Sequence, residues 1–423
     1  MIRLLVFLIC AGALMAQERL YVVQVSDESL GEINLANGQV DTHVLSLGHL
    51  CNDIVAHGSH LYVTNSGLNT VQEIDAVTNT TLREIPVTGG ANPYSLAFIN
   101  DDTLAVTNWL SNNVVLLRLS DGAQVGTIPV GLGPEGILVH DSRLFVCLTR
   151  YQTSGYGPGV VMVYDRSTLR LLDSIRVGTN PQSAQVDDRN RLHVVCTGNY
   201  ADVPGQIHVV NLETLHTDTV LAVGGTPGNV SFGGGTAFVA AGGWGGPGAV
   251  FRYRLDDLSI LNSSANPIPV GEGATDVEAQ PDTTFFVSCF AANQVEHRMR
   301  DGSRIDVFPM STGPGQMVLF GAPDEARPII GPVPRQFALT EAFPNPFNSA
   351  VRLKLSTTMP ANSYILIYNE LGRQIAKVLV PAGANEILWA PQSSSRSYIT
   401  SGIYYAIWEQ ADPKTVQKLV YLK

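Results

Sequence analysis

Along the first three quarters of the chain, short apolar runs alternate with clusters of Gly, Pro, Asn and Asp. One run recurs: an apolar residue, then Tyr, Phe, His or Ala, then Val. It stands at Leu20-Tyr21-Val22, Leu61-Tyr62-Val63, Leu104-Ala105-Val106, Leu144-Phe145-Val146, Leu192-His193-Val194, Ala237-Phe238-Val239 and Phe285-Phe286-Val287. The steps between copies are 41, 43, 40, 48, 45 and 48 residues. After each copy comes a second run ending near Asp or Asn, as in Ile74-Asp75 and Val209-Val210-Asn211, and then a more polar outer run such as Leu171 to Val177. A Gly- and Pro-rich turn leads into a fourth apolar stretch, seen near 93–98, 134–139, 181–186 and 227–232. Short apolar runs bounded by turn residues predict strands, and no segment carries a sustained helical period.

Seven repeats of about 40–50 residues, each of four short strands, predict an all-β fold: a seven-bladed β-propeller. The order of parts adds a detail. The Leu20 run opens the repeats with no fourth-type stretch before it, while the last repeat ends on an extra one, Gly315–Phe320. If the Pro-led stretch is the innermost strand, residues 315–320 must supply the strand missing from the first blade. This predicts that residues 20–25 pair with residues 315–320 and close the ring, which removes an exposed sheet edge.

The residues around the copies carry a resemblance. Tyr62-Val63-Thr64-Asn65, then Val71 to Asp75, then Ile85-Pro86-Val87 with Gly89, resembles the YVTN-type β-propeller repeat of extracellular and surface-layer proteins. Ala105-Val106-Thr107-Asn108, Val114 to Leu119 and Ile128 to Gly131 agree. Later copies depart from it: Cys147, Val195 and Ala240 replace the Thr, and the Asn is absent from the fourth copy onward. The resemblance spans roughly 20–320. It implies a propeller that supplies a binding or scaffold surface.

Residues 322–337, with four prolines and Gly331, interrupt the repeats and predict an extended linker. Beyond it the pattern changes. Runs at Val351–Ser356, Tyr364–Tyr368, Gln374–Leu379, Glu386–Trp389, Gly402–Trp408 and Val416–Leu422 predict a small immunoglobulin-like β-sandwich. Its landmark is Phe343, Pro344, Asn345, Pro346, Phe347 and Asn348. Together with Ile367-Tyr368-Asn369, Leu371-Gly372-Arg373, Gly402-Ile403-Tyr404-Tyr405 and the closing Lys418 to Lys423, it resembles the C-terminal (type A) sorting domain of type IX secretion cargo. That resemblance implies the type IX machinery as a partner, and passage across the outer membrane to an extracellular or cell-surface location. The organisation expected is thus a signal at 1–16, propeller at 17–321, linker at 322–337 and sorting-type sandwich at 338–423.

Composition sharpens this. Arg3, the apolar run Leu4 to Leu14 and the small Ala16 before Gln17 form a secretory signal too short to span a bilayer. Cys10 raises a lipoprotein alternative, which Ile9 before it and the continuing apolar run disfavour. No transmembrane segment is expected in the mature chain. A net charge of −11 without a basic run argues against nucleic acid. Beyond Cys10, the cysteines Cys51, Cys147, Cys196 and Cys289 have no metal-finger spacing and are expected as buried free thiols. Cys147 should face the opposite side of the pleat from Cys196 and Cys289.

Candidate chemistry lies on the loops next to the inner strands. Three consecutive repeats carry long loops there, Arg150–Gly159, Gly198–Gly205 and Gly242–Gly248, bearing Tyr151, Tyr156, Tyr200 and Trp244, with Trp109 in the repeat before. Insertions on one face mark a binding face, and such aromatics suit a protein, peptide or glycan ligand; packing over their own loops is the competing role. At the mouth of the inner strands the aligned residues Asn52, Ser95, Gly136, Ser183, Asn229, Asp276 and Gln316, with Glu135 and Gln182 one step earlier, form a polar ring suited to ordered water or a weakly held ligand. The histidines do not cluster, and His57, His60 and His140 are expected at solvated turns. The sequence assigns no catalytic residue, no metal ligand and no cofactor. A secreted, non-enzymatic binding or scaffold module is the first reading. A propeller enzyme of lactonase or lyase type, with Glu135 and Asp276 as acid–base groups in the central channel, is the alternative.

Overall fold

The structure, a computed structural model, describes residues 18–321 apart from 244 and 282–283, and residues 339–422 apart from 356–362, 370–373, 382–383, 392–400 and 409–415. The expected signal and linker lie outside the described residues. The chain divides into two compact units, Met1–Ile329 and Ile330–Lys423.

Among the described residues the first unit holds seven antiparallel blade sheets built on one plan, with one small two-stranded hairpin besides. Blade 2 shows it: Cys51–His57, His60–Asn65, Thr70–Asp75 and Thr80–Pro86 hydrogen-bond in sequence from inside to outside. Blades 3 to 7 start on the inner strands Pro93–Asn100, Pro134–His140, Pro181–Val186, Pro227–Gly233 and Ala274–Ala279. Consecutive inner strands lie against each other around a closed circle. Blade 1 takes three strands from the start of the unit, Arg19–Gln24, Ser29–Asn34 and Val40–Ser46, and its inner strand Pro314–Phe320 from the end. Leu20 pairs with Leu319, Tyr21 with Val318 and Val22 with Met317, so the ring closes as the order of parts predicts.

Burial follows position in the blade. The second strand, which carries the recurring run, has a neighbouring blade on both faces: Leu61, Tyr62, Val63, Thr64 and Asn65 are all buried. It therefore reads as continuous apolar rather than alternating. Outer strands such as Thr80–Pro86 are mostly exposed, and their sequences are correspondingly polar. Each core cluster bridges two blades, as where Tyr21 and Leu30 of blade 1 meet Ile54 and Leu61 of blade 2. Burying one such Leu or Val contributes about 1.5–3 kcal/mol, so the hydrophobic core holds neighbouring blades together.

The Thr of the recurring run has a distinct task. Every inner strand is bulged near its start, which leaves a backbone N–H facing away from its ladder partner. The Thr64 hydroxyl accepts the Asp53 N–H of its own inner strand (2.9 Å) and donates to the Tyr94 carbonyl of the next (3.0 Å). Thr107 does the same between Ser95 N–H (2.9 Å) and the Glu135 carbonyl (2.8 Å). In blade 7 Ser288 takes the accepting half of this role, from Asp276 N–H (3.1 Å).

The four described cysteines are buried and free. Cys147 and Cys196 project from opposite pleat faces of adjacent blades and thereby enter one core cluster. His140 is buried, with Nε2 2.8 Å from Asn190 Oδ1, rather than solvated as its turn position suggests. The turn is roofed by the next blade's turn, which a single repeat cannot reveal.

The second unit is two sheets over one core. One holds Leu339–Phe343, Val351–Leu355 and Glu386–Trp389; the other holds Gln374–Val380, Ser363–Asn369, Gly402–Trp408 and Val416–Tyr421. Strict alternation, as in Val351, Leu353 and Leu355 buried against Arg352 and Lys354 exposed, is what a sheet covered on one face requires. In the landmark, Phe347 is buried against Tyr421 (5.1 Å between ring centroids) and Trp389 (5.8 Å), while Phe343, Pro344, Asn345, Pro346 and Asn348 are exposed. Asn345 stitches the segment to the last strand, accepting the Val420 N–H (2.8 Å) and donating to the Lys418 carbonyl (2.7 Å). The Phe343–Pro344 and Asn345–Pro346 peptide bonds are cis.

Candidate functional site

The inner strands begin with Pro or a small residue, and the next two positions lie at the loop end of the strand. Aligned on the bulge, the third position reads Asp53, Ser95, Gly136, Ser183, Asn229, Asp276 and Gln316. The residue of blade 2 on this ring is therefore Asp53, not Asn52, since Cys51 stands where the other strands have Pro or Ala. Nor is the ring a cup of free polar groups. Asp53 Oδ2 accepts from the Ser95 hydroxyl (2.6 Å) and the Leu96 N–H (2.9 Å). Asp276 repeats this at blade 7: Oδ1 accepts from the Asn229 amide (2.5 Å) and Oδ2 from the Met317 N–H (2.8 Å). Ser183 donates to the Gly228 carbonyl (3.0 Å). At Gly136 the next inner strand approaches so closely that a Cβ would stand 2.5 Å from the Gln182 carbonyl oxygen. The third position ties blade to blade.

The second position differs. It reads Asn52, Tyr94, Glu135, Gln182, Gly228, Thr275 and Gly315, and three consecutive blades put large polar side chains there. Glu135 is 6% exposed, and its Oε2 is buried without a hydrogen-bond partner. Burial pushes its pKa up to about 8, offset slightly by a hydrogen bond from the Trp109 side chain. The carboxyl is therefore protonated at neutral pH. Tyr94 lies against it: the Glu135 charge first, then burial, drives the Tyr94 hydroxyl well above its ordinary pKa.

The long loops bring their rings to this carboxyl. Residues Tyr151–Gln152 and Gly155–Tyr156 of the first loop form a small hairpin that sets the two tyrosines side by side, 5.0 Å between centroids. Trp109 lies 5.9 Å from Tyr151, and Tyr200 of the next loop 6.2 Å from Tyr156. The Tyr200 hydroxyl accepts from the Gln182 amide (2.9 Å). Burial first, then Tyr200 and Glu135, push the Tyr156 hydroxyl up to about 12; burial is likewise the main cause at Tyr200, with Glu135 contributing. Tyr151 and Tyr200 remain 44% and 48% exposed, so the row of rings is open to solvent on one side and closed by Glu135 on the other.

Trp109, Glu135, Tyr151, Tyr156 and Tyr200 thus come together over blades 3 to 5. Asp276 does not join them; it stands three blades further round, engaged with Asn229 and Met317. Trp244 lies outside the described residues. Tyr94 belongs to the group but was not singled out from the sequence. Its signal is its register, one step after Pro93 as Glu135 is one step after Pro134. Asn180, fully buried at φ 57°, completes the wall with neither amide atom hydrogen-bonded.

Elsewhere, buried charges are paired. His193 holds Tyr253 through Nδ1 (2.8 Å) and Asp187 through Nε2 (3.1 Å), and Arg191 grips the same carboxylate at 2.6 Å. Glu73 is shared by His60 (2.8 Å), Tyr62 (3.0 Å) and Arg83 (2.5 Å). Among the described residues no three His, Cys, Asp or Glu side chains gather as a metal site, and no helix is long and apolar enough to cross a membrane.

Comparison with known proteins places the two units. Residues 341–422 match the family described as the secretion system C-terminal sorting domain. That domain marks proteins carried across the outer membrane by type IX secretion, and the chain is accordingly a secreted one, extracellular or at the cell surface, that engages the type IX machinery. Solved structures similar to this chain include a candidate 6-phosphogluconolactonase from Bacteroides uniformis (TM-score 0.56, 11% identity, covering 72% of this chain and 100% of that one). A functionally unknown protein from Desulfotomaculum acetoxidans is similar to the same extent (TM-score 0.55, 14% identity, 72% and 98%). A third is a quinonprotein alcohol dehydrogenase-like protein from Bacteroides thetaiotaomicron (TM-score 0.51, 12% identity, 73% and 79%). At these identities the likeness is one of fold, the β-propeller. No curated protein matches the chain.

Proposed function

We propose that the protein is a non-enzymatic binding module of the cell exterior, whose propeller holds its ligand on the aromatic face over Glu135 and whose C-terminal domain serves export. The observation that carries this reading is the row Trp109–Tyr151–Tyr156–Tyr200, half open to solvent above a buried carboxyl with one oxygen that no protein group satisfies. Side chains whose sole task is to cover a loop have no need of an unpaired acid beneath them, because burying one costs stability. The reading includes the finer parts of the organisation: a signal at 1–16 removed on export, a YVTN-type propeller at 17–321, a linker at 322–337 and the sorting module at 338–423.

One observation favours the lactonase- or lyase-type alternative: a carboxyl that titrates near pH 8 can act as a general acid. Against it, the partners such chemistry would use are spoken for. Asp276 is tied to neighbouring strands, and His193 is locked between Asp187 and Tyr253.

The test has two arms in a bacterium with a type IX system. Full-length protein and a version ending at Ala322 are compared by fractionation and mass spectrometry; the export role requires the truncated form to stay in the periplasm. Purified wild-type protein and Trp109→Ala are then compared on arrays of defined peptides and glycans. Specific binding lost in the variant, with an unchanged melting profile, supports the binding face. Equal binding by the variant, or turnover of a lactone by the wild type, overturns it.

A further inference from the structure

A buried acid with one unpaired oxygen, beside a row of aromatic rings, has a particular complement. The groups that face Glu135 come from every side: Tyr94 from the inner strand of blade 3, Cys147 from the adjacent strand of its own blade, and Trp109, Tyr156 and Tyr200 from the loops. All are neutral at physiological pH. Arg150, at the base of the hairpin, directs its guanidinium to the Pro158 carbonyl (3.4 Å). No cation acts on the carboxyl; burial and Trp109 account for its state. Every other deeply buried carboxylate described above has a partner in reach: Glu73 has Arg83, Asp187 has Arg191, Asp276 has an amide and a backbone N–H. Glu135 Oε2 has no such partner, and the rings beside it carry the negative faces that attract a cation.

Resting on the binding reading, we propose that the ligand group held there is an alkylammonium, best a methylated one, lying against the rings of Trp109, Tyr156 and Tyr200 with the Glu135 carboxylate as its counter-ion. A methylated ammonium suits the site because it spreads its charge over apolar surface and loses little hydration on leaving water. A neutral polyol would stack on the rings but make no use of the acid. The proton balance is definite. The free site carries a protonated carboxyl at pH 7, the bound site a carboxylate, so one proton leaves to buffer for each cation that enters.

The experiment is calorimetric titration of the full chain with choline and with its uncharged isostere 3,3-dimethyl-1-butanol, at pH 7 and pH 9, in two buffers of different ionisation enthalpy. Choline is expected to bind at least tenfold more tightly than the isostere. Its affinity should rise about tenfold from pH 7 to pH 9, as the binding-competent carboxylate fraction grows. About one proton should be released per choline at pH 7 and almost none at pH 9. Glu135→Gln should abolish proton release and lower affinity at least tenfold, and Tyr200→Ala should weaken binding with proton release retained. Equal binding of the isostere, or choline binding without proton release, overturns the ammonium assignment. If neither probe binds while Trp109→Ala still abolishes binding on the arrays, the ammonium inference fails and the binding face stands. If no Trp109-sensitive binding exists in either experiment, both fail.

Discussion

The inner strands of blades 4 and 7 each bury a carboxyl at their loop end, one residue apart in register, and the two lead opposite lives. Asp276, at the third position, has both oxygens bonded, to Asn229 and Met317. Glu135, at the second, has one oxygen with nothing. Burial raises the pKa of both. Burial and a shifted pKa therefore do not by themselves mark an acid as part of a site on this scaffold. What separates the two carboxyls is whether the surrounding backbone uses the group. The third position points at the next blade, where a bulge leaves an N–H in need of an acceptor; the second points at the loops, where partners depend on what the loops bring.

The strongest way to break this comparison is Asp276→Ala. It strands the Asn229 amide and the Met317 N–H, and each buried orphan costs about 1–3 kcal/mol, so a loss of roughly 2–5 kcal/mol in urea unfolding is expected. A loss under about 1 kcal/mol would mean that Asp276 is no tie. Next comes pH. The folded Glu135 holds its proton up to about pH 8, whereas the unfolded chain releases it in the ordinary carboxylate range. Between those limits the folded state binds more protons, so stability falls as pH rises, by up to about 1.4 kcal/mol per unit for this group. Glu135→Gln removes that slope and should melt higher than wild type at pH 9. A parallel pH dependence in the two proteins would show that Glu135 is already ionised. Thr64→Val should cost about 1–2 kcal/mol through the lost link between Asp53 and Tyr94, and Val195 in blade 5 shows that the space admits Val. Smallest is Tyr151→Ala, at an exposed ring: a change within about 0.5 kcal/mol in melting stability, paired with a clear loss in array binding.

Much of the propeller was legible because its signal is repeated. The recurring run, the Pro-led stretch and the missing first inner strand gave the sheets and their closure between Arg19–Gln24 and Pro314–Phe320. The aromatic loops were legible as unequal insertions. What the chain did not disclose was register at the mouth. Cys51 in place of a Pro shifts the alignment by one and hides Asp53, and Tyr94 stands out only once the second positions of all the inner strands are set side by side. The engagement of Asp276 was invisible because its partners, Asn229 and Met317, lie on two other blades. The cover over His140 is likewise invisible in a single repeat, because it comes from Asn190 in the turn of the next blade. The sandwich strands were legible as short runs at regular spacing, and the structure adds their alternation, since one buried face imposes a period of two.

The join between Arg19–Gln24 and Pro314–Phe320 sets a schedule for the chain. The first three strands of the propeller exist from the outset, yet the strand that completes their sheet is among its last residues to arrive. During synthesis, or during any end-first passage, blade 1 waits with an open edge while six blades accumulate. Loop closure over some 300 residues comes at the finish, after local contacts have formed. A chain interrupted anywhere before residue 314 is thus an open arc with two sticky ends rather than a smaller wheel, and such an arc is a substrate for chaperones or proteases, not a shortened version of the protein.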